Sequence, residues 1–307
     1  MLPAVYDDED WDAVVPNEAI IRPGAVDILR RMGLAEQSLD RYGTGSMPTY
    51  AVGASRVLKL YPTVCAGSAA IEARVLEHLH GKLPVPTPEL LAEGEYGEGW
   101  RYVLMSQLAG QSLATAWPQI PGAARDRLAE TLGQMLATMH DLDIVGLDAS
   151  IGPTDWHAFV AEQRATAVER QRARGLPEAW LEQIPDFLAA QPLRDGDEHA
   201  LLHTEVMREH LLIDPRTWTL TGLFDFEPAM IGGAAYEFAA VGVFTARGDT
   251  RFLGRIMTAY GKELTPTALL AQVLIHVESN LLWYLSILPA PHEDTLEAMA
   301  ATWFATA

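Results

Sequence analysis

The pattern of apolar residues changes near residues 105–110, and this change restricts the folds open to the 307-residue chain. Before it, short runs rich in apolar and β-branched residues alternate with glycine and proline, as in strands and turns. One segment there, residues 67–79, has helical spacing. Beyond residue 110 helical spacing predominates, most clearly in residues 123–142. The sequence predicts an α+β protein: a small, mostly antiparallel sheet with one helix in residues 1–106, and a larger, mainly helical domain in residues 107–307.

Further elements are expected on either side of this boundary. Residues 1–22 resemble an irregular acidic arm, followed by a short helix, residues 24–32, with Val26, Leu29 and Met32 on one face. Strands are expected around Leu90, Val103 and Leu201, and over 56–61 and 220–224. The remaining helices are expected over residues 156–174, 177–190, 234–243, 250–261 and 266–287.

Composition limits the classes of partner. Acidic residues number 41 and basic residues 22, for a net charge of −19. This excess argues against nucleic acid, which needs a basic surface. It favours a cationic small molecule, although an acidic excess often serves only solubility. The single cysteine, Cys65, and an N-terminus without the pattern of a signal peptide fit a cytoplasmic protein. Polar residues interrupt the most apolar segment, residues 269–289, so no membrane span is expected.

Lys59 lies inside an apolar strand, where an unpaired ammonium group is costly to bury. One interpretation is that it contacts nucleotide phosphates and is held by Glu72 on the following helix. The alternative is that Lys59 projects from the solvent face of an edge strand. Small residues in the preceding hairpin, Gly43, Gly45 and Ser46, would let backbone N–H groups approach phosphate oxygens.

The connection between the two predicted domains is a candidate base-binding segment. Backbone groups of an extended connector, here Ser106, Gln107 and Leu108, have the form needed to contact a purine edge. The alternative is that this segment is only the end of a strand.

The residues after the strand at Leu201 indicate a chemistry. Glu205 follows His203 by two residues, His210 lies five residues further on, and Asp225 ends the next predicted strand. This spacing is typical of phosphoryl transfer, in which one acid lies near the attacking hydroxyl and others hold the metal on the nucleotide phosphates. Asp225 is the strongest candidate metal ligand. Glu227 is either a second ligand, a substrate contact or an acid of the following turn.

Together these motifs resemble the aminoglycoside phosphotransferase family, and within it most closely the hygromycin B phosphotransferases. The resemblance covers residues 42–243, with Lys59 and Glu72 at the family's lysine and glutamate positions. It implies a two-lobed, protein-kinase-like fold. It also implies transfer of the γ-phosphate of ATP or GTP to a hydroxyl of a cationic, aminoglycoside-like acceptor, with Mg²⁺ as cofactor and antibiotic resistance as the result. Glu227, Glu237 and Asp155 are then candidate acceptor contacts.

Two residues depart from the family pattern in the loop that would be catalytic. The family has a His-Gly-Asp sequence at the positions of His203, Thr204 and Glu205, and a metal-binding asparagine at His210. Glutamate moves the carboxylate by about 1.5 Å, and a misplacement of about 1 Å lowers rates about 100-fold when nothing compensates.

Imidazole is a poor ligand for Mg²⁺. Four alternatives follow: water replaces the imidazole, Mn²⁺ is the preferred metal, Asp225 alone holds a single ion, or His210 is hydrogen-bonded beneath the loop. These departures leave two other functions open. One is a relative that binds nucleotide or a small molecule without transfer. The other is a kinase for a sugar, a choline-like amine or a nucleoside antibiotic.

Overall fold

A computed structural model describes residues 2–147, 151–191 and 199–306. It divides the chain into two compact units. The first comprises Met1–Lys82, Pro86–Ala109 and Gly222–Pro228, and the second comprises Leu83–Val85, Gly110–Thr221 and Ala229–Ala307. The predicted boundary after residue 106 differs from this division, because residues 222–228 belong with the first unit. There the N–H of Leu223 donates to the carbonyl of Pro86 (3.0 Å), and Gly222 packs against Leu108 so closely that a Cβ would lie 2.6 Å from its Cδ1.

The described part of the first unit contains a five-stranded antiparallel sheet in the order β1-β2-β3-β5-β4. Its strands are β1 (Leu39–Arg41), β2 (Thr49–Val52), β3 (Arg56–Tyr61), β4 (Leu90–Tyr96) and β5 (Trp100–Ser106). Its helices are α1 (Asp8–Val14), α2 (Glu18–Arg31) and α3 (Ala66–Leu79). The strands near Leu90 and Val103, strand 56–61 and helix 67–79 are therefore confirmed.

The prediction of an irregular arm over residues 1–22 is wrong, because helices begin there. The side chain of Asp7 accepts the N–H of Asp10 (2.9 Å), and the side chain of Asn17 accepts the N–H of Ala19 (3.1 Å). Both are standard helix N-caps, and acidic residues follow each in the first turn. The acidic residues of this segment thus lie at helix starts, where negative charge is favourable.

The buried face of α2 also differs from the prediction. Val26 is 45% exposed, whereas Ile21, Ala25, Ile28 and Leu29 are buried in the core of the first unit. The helix begins six residues earlier than predicted, and the longer helix adds Ile21 to the apolar stripe and shifts its centre away from Val26.

The second unit is mainly helical. Its helices are α4 (Leu113–Ala116), α5 (Gly122–His140), α6 (Trp156–Ala173), α7 (Glu178–Leu181), α8 (Ile184–Ala189), α9 (Phe238–Ala240), α10 (Thr250–Tyr260), α11 (Pro266–Ile275), α12 (Leu281–Ile287) and α13 (Leu296–Phe304). Its strands are β6 (Gln111–Ser112), β7 (His199–Leu202), β8 (Leu211–Asp214), β9 (Thr219–Leu223, which ends in the first unit) and β10 (Met230–Gly233). β7 pairs with β10, and β6, β8 and β9 form a second small sheet. No described helix is long and apolar enough to cross a membrane.

Three of the predicted helices are interrupted. The helix expected over residues 266–287 ends at Ile275, because His276 leaves the helical conformation (ψ 141°), and α12 begins only after Asn280 caps it. The segment expected to be one helix over residues 177–190 is instead the pair α7 and α8. Residues 234–243 form a 3₁₀ turn, the short α9 and the start of a π-helix, Val241–Ala246. The first and the last of these interruptions place His276 and Thr245 against the loop between β7 and β8.

Candidate functional site

Lys59 is the centre of a buried charge cluster in the first unit. Its side chain is only 7% exposed, and its Nζ lies 3.2 Å from Glu72 Oε2 and 2.7 Å from Glu227 Oε2. It also forms an ion pair with Asp225. The predicted pairing of Lys59 with Glu72 is thus present, and the alternative of a solvent-facing lysine is wrong.

Sheet register and helix position explain this arrangement. Lys59 lies in the middle strand β3, where it pairs with Thr49 on one side and Val103 on the other. Glu72 lies on α3 and is 1% exposed. Its carboxylate accepts hydrogen bonds from the hydroxyl of Tyr61 and from the backbone N–H of Phe226 (3.2 Å). Glu72 therefore connects β3 to the segment that carries both other acids.

The electrostatics of the cluster are dominated by its acids. Burial alone would lower the pKa of Lys59, but the carboxylate of Glu72 and the other nearby acidic groups raise this pKa well above its ordinary value. Burial raises the pKa of Glu227, against the opposing effect of Lys59. Lys59 is therefore fully charged near neutral pH, and one ammonium group faces three acidic side chains.

The donor set of this cluster fits a divalent cation. Carboxylate oxygens of Glu72, Asp225 and Glu227 all lie within 4.8 Å of one another. Oxygen ligands are those that Mg²⁺ prefers, and its two positive charges would balance the excess of acid over Lys59. Asp225 and Glu227 are 26% and 16% exposed, whereas Glu72 is buried by its own partners. Asp225 and Glu227 are therefore the residues that would hold the ion.

The other predicted nucleotide contacts also lie in the first unit. Gly43, Gly45 and Ser46 form the exposed turn between β1 and β2, where Gly45 has a φ of 102° that glycine alone adopts easily. Ser106 Oγ accepts the N–H of Glu89 (2.8 Å). Their nucleotide contacts remain predictions.

The connector after β5 is anchored by its own backbone and side chains. Gln107 donates its backbone N–H to the carbonyl of Ser55 (2.9 Å) and its amide to the hydroxyl of Tyr42 (2.9 Å). Leu108 packs on Gly222. The connector is therefore held in place within the first unit, and its role in base binding remains a prediction.

The loop between β7 and β8 contains the predicted catalytic residues of the second unit. His203 is fully buried; its N–H donates to Glu237 Oε2 (2.7 Å), and its Nδ1 accepts the N–H of Glu205 (3.3 Å). Glu237 is also fully buried. Their burial favours a role in positioning the loop over contact with a substrate. The assignments of His203 as catalytic and of Glu237 as an acceptor contact remain predictions.

His210 supports the same loop. Its Nδ1 lies 2.9 Å from the backbone carbonyl of Glu205, and its ring stacks on that of His203 with 5.9 Å between centroids. A carbonyl only accepts, so Nδ1 carries the hydrogen. This hydrogen bond favours the hydrogen-bonded alternative for His210, and its role as a metal ligand remains a prediction.

The backbone around Glu205 is held on both sides. Thr204 has a φ of 68°, in the left-handed region that a β-branched residue adopts only under strain. Its carbonyl lies 3.2 Å from Nε2 of His276, and the carbonyl of Val206 accepts the hydroxyl of Thr245 (2.7 Å). The loop therefore keeps the glycine-type conformation, although threonine occupies that position.

Sequence reasoning did not predict this support by His276 and Thr245. Arg208 also contributes, since it donates to the carbonyls of Thr245 and Ala246 (2.8 and 3.2 Å). The signal for His276 is a histidine inside the most apolar segment of the chain. Burial lowers its pKa to about 4, so the ring is neutral near pH 7. Its Nδ1 accepts the N–H of Glu278 (3.2 Å), which leaves Nε2 as the donor to Thr204.

A cavity of about 570 Å³ lies in the second unit and is lined by Glu205. Its walls include residues from the start of the loop, the segment after α11 and the helix α12, among them Thr204, His276 and Trp283. Its volume is in the range of small-molecule sites. Asp155, predicted to contact the acceptor, is exposed and caps α6 by accepting the N–H of Ala158 (2.9 Å). Asp155 is not among the described residues that line the cavity, and its role in the structure is that of a helix cap.

Comparison of the sequence with known protein sequences gives two findings. A model described as the phosphotransferase enzyme family matches residues 43–270. A search of curated protein sequences found no match.

Several solved structures share the fold. The GDP complex of wild-type aminoglycoside 2'-phosphotransferase-IIIa is 20% identical with a TM-score of 0.70, covering 83% of this chain and 87% of that one. The GDP and kanamycin complex of APH(2")-IIIa is 21% identical with a TM-score of 0.65, covering 80% and 87%. The streptomycin–ATP–APH(2")-IIa ternary complex is 14% identical with a TM-score of 0.59, covering 91% and 96%. The predicted α+β, protein-kinase-like fold is confirmed.

Proposed function

Because the chain belongs to the phosphotransferase enzyme family, we propose that it transfers the γ-phosphate of ATP or GTP to a hydroxyl of a small molecule bound in the cavity lined by Glu205. The observation that carries this proposal is the buried cluster in which Lys59 is paired with Glu72 and lies beside Asp225 and Glu227. A buried lysine surrounded by acids is what phosphate and metal binding together require.

In the donor site, Lys59 would neutralise phosphate oxygens while Glu72 holds the ammonium group in place. Glu72 suits this role because its carboxylate is fixed by Tyr61 and Phe226. Mg²⁺ held by Asp225 and Glu227 would neutralise further phosphate charge and thereby favour departure of the nucleoside diphosphate. Mn²⁺ is the alternative metal, since it accepts the same oxygen ligands.

In the acceptor site, Glu205 would orient the attacking hydroxyl and receive its proton. The hydroxyl oxygen forms a bond to the γ-phosphorus as the bond from that phosphorus to the bridging oxygen breaks. The electron pair of the broken bond stays on the nucleoside diphosphate, and the hydroxyl proton passes through Glu205 to solvent. Catalysis then depends mainly on the positions of Lys59 and Glu205, because the transition state needs charge neutralisation and alignment rather than a covalent intermediate.

An aminoglycoside-like, amine-bearing compound is the acceptor class that we propose, with hygromycin-type compounds as one candidate subgroup. Two observations support it: the resemblance of the motifs, and the fact that solved structures with the same fold are complexes with kanamycin and streptomycin. If the acceptor is such an antibiotic, its phosphorylation would confer resistance.

A nucleotide- or ligand-binding protein without transfer is the second candidate function. The observation that favours it is the position of His210, which bonds to the loop backbone where the family pattern has a metal-binding asparagine. Nucleotide binding without any phosphorylated product would identify this function.

The test is phosphate transfer measured by mass spectrometry. The purified chain is incubated with Mg-ATP or Mg-GTP and a panel of aminoglycosides, sugars and choline-like amines, and each acceptor is examined for the mass of one added phosphate. Asp225→Asn should abolish the product, whereas Asp40→Asn, at an exposed aspartate of the same unit, should not. Wild-type product formation by Asp225→Asn would refute the assignment of the donor site.

A further inference from the structure

The charges that line the cavity nearly cancel. Among its described lining residues are three carboxylates, Glu205, Glu209 and Glu278, and two guanidinium groups, Arg174 and Arg247. Arg247 lies 2.6 Å from Glu209, and Arg174 lies 4.0 Å from Glu278. The described part of the lining therefore carries a net charge of about −1, although the whole chain carries −19.

One wall of the cavity is apolar and aromatic. The rings of Phe244, Trp283 and Tyr284 lie against one another with centroid distances of 5.5 Å. Trp283 is 48% exposed and Ile287, one helical turn further along α12, is 42% exposed. Exposed aromatic and aliphatic side chains on one helix face of a cavity provide a surface that an apolar ligand would cover.

This wall is held in position by the same segment that supports the loop. The hydroxyl of Tyr284 donates to the backbone carbonyl of Glu278 (3.0 Å), and Asn280 caps α12 by accepting the N–H of Trp283 (3.1 Å). The N–H of Glu278 in turn donates to His276. The aromatic wall is thus a preformed surface, and Glu278 lies at its edge with a side chain that is 66% exposed.

We propose that this cavity binds a hydroxyl compound with an apolar or aromatic body and a single amine, rather than a polycation. The apolar body would lie on Trp283 and Ile287, with the amine near Glu278 and the hydroxyl at Glu205. A polycation would bring several ammonium groups close to Arg174 and Arg247, and the described lining offers it three carboxylates, two of which already face these guanidinium groups. This inference rests on the proposed function, and among amine-bearing acceptors it favours compounds that carry one amine and an apolar substituent over polycationic aminoglycosides.

Binding of three small probes to the full chain tests this proposal by calorimetry. Phenyl β-D-glucosaminide has one amine, several hydroxyls and an aromatic ring; glucosamine lacks the ring; kanamycin is a polycation. We expect phenyl glucosaminide to bind at least about tenfold more tightly than either of the others, since an aromatic pair contributes about that factor.

Variants of α12 supply the matched control. Trp283→Ala should abolish the tenfold advantage of phenyl glucosaminide over glucosamine. Leu282→Ala should keep it, because Leu282 is similarly exposed (41%) on the same helix but is not among the described residues that line the cavity. Arg174→Gln should raise the affinity for kanamycin by about two- to fivefold, because one exposed like charge is removed from the cavity.

The outcomes separate this inference from the proposed function. Tighter binding of kanamycin than of phenyl glucosaminide, unchanged in Trp283→Ala, overturns the inference. Phosphorylation of kanamycin in a parallel incubation with Mg-ATP or Mg-GTP, analysed by mass spectrometry, would leave the proposed function standing. Absence of binding by all three probes at millimolar concentration also overturns the inference. Binding of phenyl glucosaminide that depends on Trp283, with no added phosphate in the presence of either nucleotide, supports the binding site and refutes the transferase function.

Discussion

Lys59 and Glu72 form a buried ion pair, with 3.2 Å between Nζ and Oε2. The same carboxylate accepts from the hydroxyl of Tyr61 and the backbone N–H of Phe226. Strand β3, helix α3 and the segment Gly222–Pro228 are therefore joined through one side chain. A change at this pair is expected to affect both the stability of the first unit and the donor site.

Lys59→Met should destabilise the protein and stop phosphate transfer. Removal of one partner from a buried ion pair leaves carboxylates uncompensated, which costs about 3–5 kcal/mol of unfolding free energy. Transfer should fall by at least about 100-fold, since Lys59 would no longer neutralise phosphate charge. Urea unfolding and kcat/KM measure the two effects. Lys82→Met, at an exposed lysine of the same unit, is the control, and equal behaviour of the two variants would contradict the assignment.

Restoring the family residues in the loop should reduce activity. In the double variant Glu205→Asp with His210→Asn, the shorter carboxylate retreats and the hydrogen bond of His210 to the carbonyl of Glu205 is lost. We expect kcat to fall about 10- to 100-fold, the scale of a misplacement of about 1 Å. A large gain in turnover would show instead that the natural loop is a degenerate catalytic site.

Acidification should weaken the fold through His276. Burial lowers the pKa of this histidine to about 4, whereas an unfolded histidine has a pKa near 6.5. Between about pH 6.5 and pH 4 the unfolded state binds more protons, so stability decreases as the pH falls, by up to roughly 3 kcal/mol. His276→Gln keeps an N–H donor for Thr204 without titrating. Urea unfolding over this pH range should show a shallower decline in the variant, and identical slopes would contradict the prediction.

Glu237→Ala should destabilise the loop between β7 and β8. Its carboxylate accepts the N–H of His203 (2.7 Å) and lies 3.6 Å from Nε2 of His140. A buried donor left without its acceptor costs about 1–3 kcal/mol. We expect urea unfolding to show a loss of this size and kcat to fall, with the KM for nucleotide unchanged. Glu263→Ala, at an exposed glutamate, is the control; a raised KM with normal kcat would contradict a positioning role.

The sequence is sufficient to predict an interaction where both residues lie in strands or helices with a clear apolar pattern. Lys59 in an apolar strand needs a partner, and Glu72 at the start of the next helical face provides it. The N-terminal helices are also predictable from the sequence, because Asp7 and Asn17 are recognisable caps. Their acidic first turns, however, have the same composition as a solvated arm.

The support of the catalytic loop could not be predicted in the same way. Thr245 and His276 lie 39 and 72 residues from the carbonyls that they bind. Neither residue belongs to a short motif, and only the fold brings them to the loop. The burial of His203 and Glu237 depends on the same long-range packing. Neither the spacing of His203 nor the family resemblance at Glu237 carries information about burial.

Single-turnover transfer by Glu205→Gln tests the central claim most directly. With saturating Mg-ATP or Mg-GTP and an acceptor identified by mass spectrometry, we expect nucleotide binding equal to that of the wild type and a transfer rate lower by at least about 100-fold, the usual contribution of a positioned acid or base. Transfer at the wild-type rate would contradict the role of Glu205 and, with it, the acceptor site in this cavity.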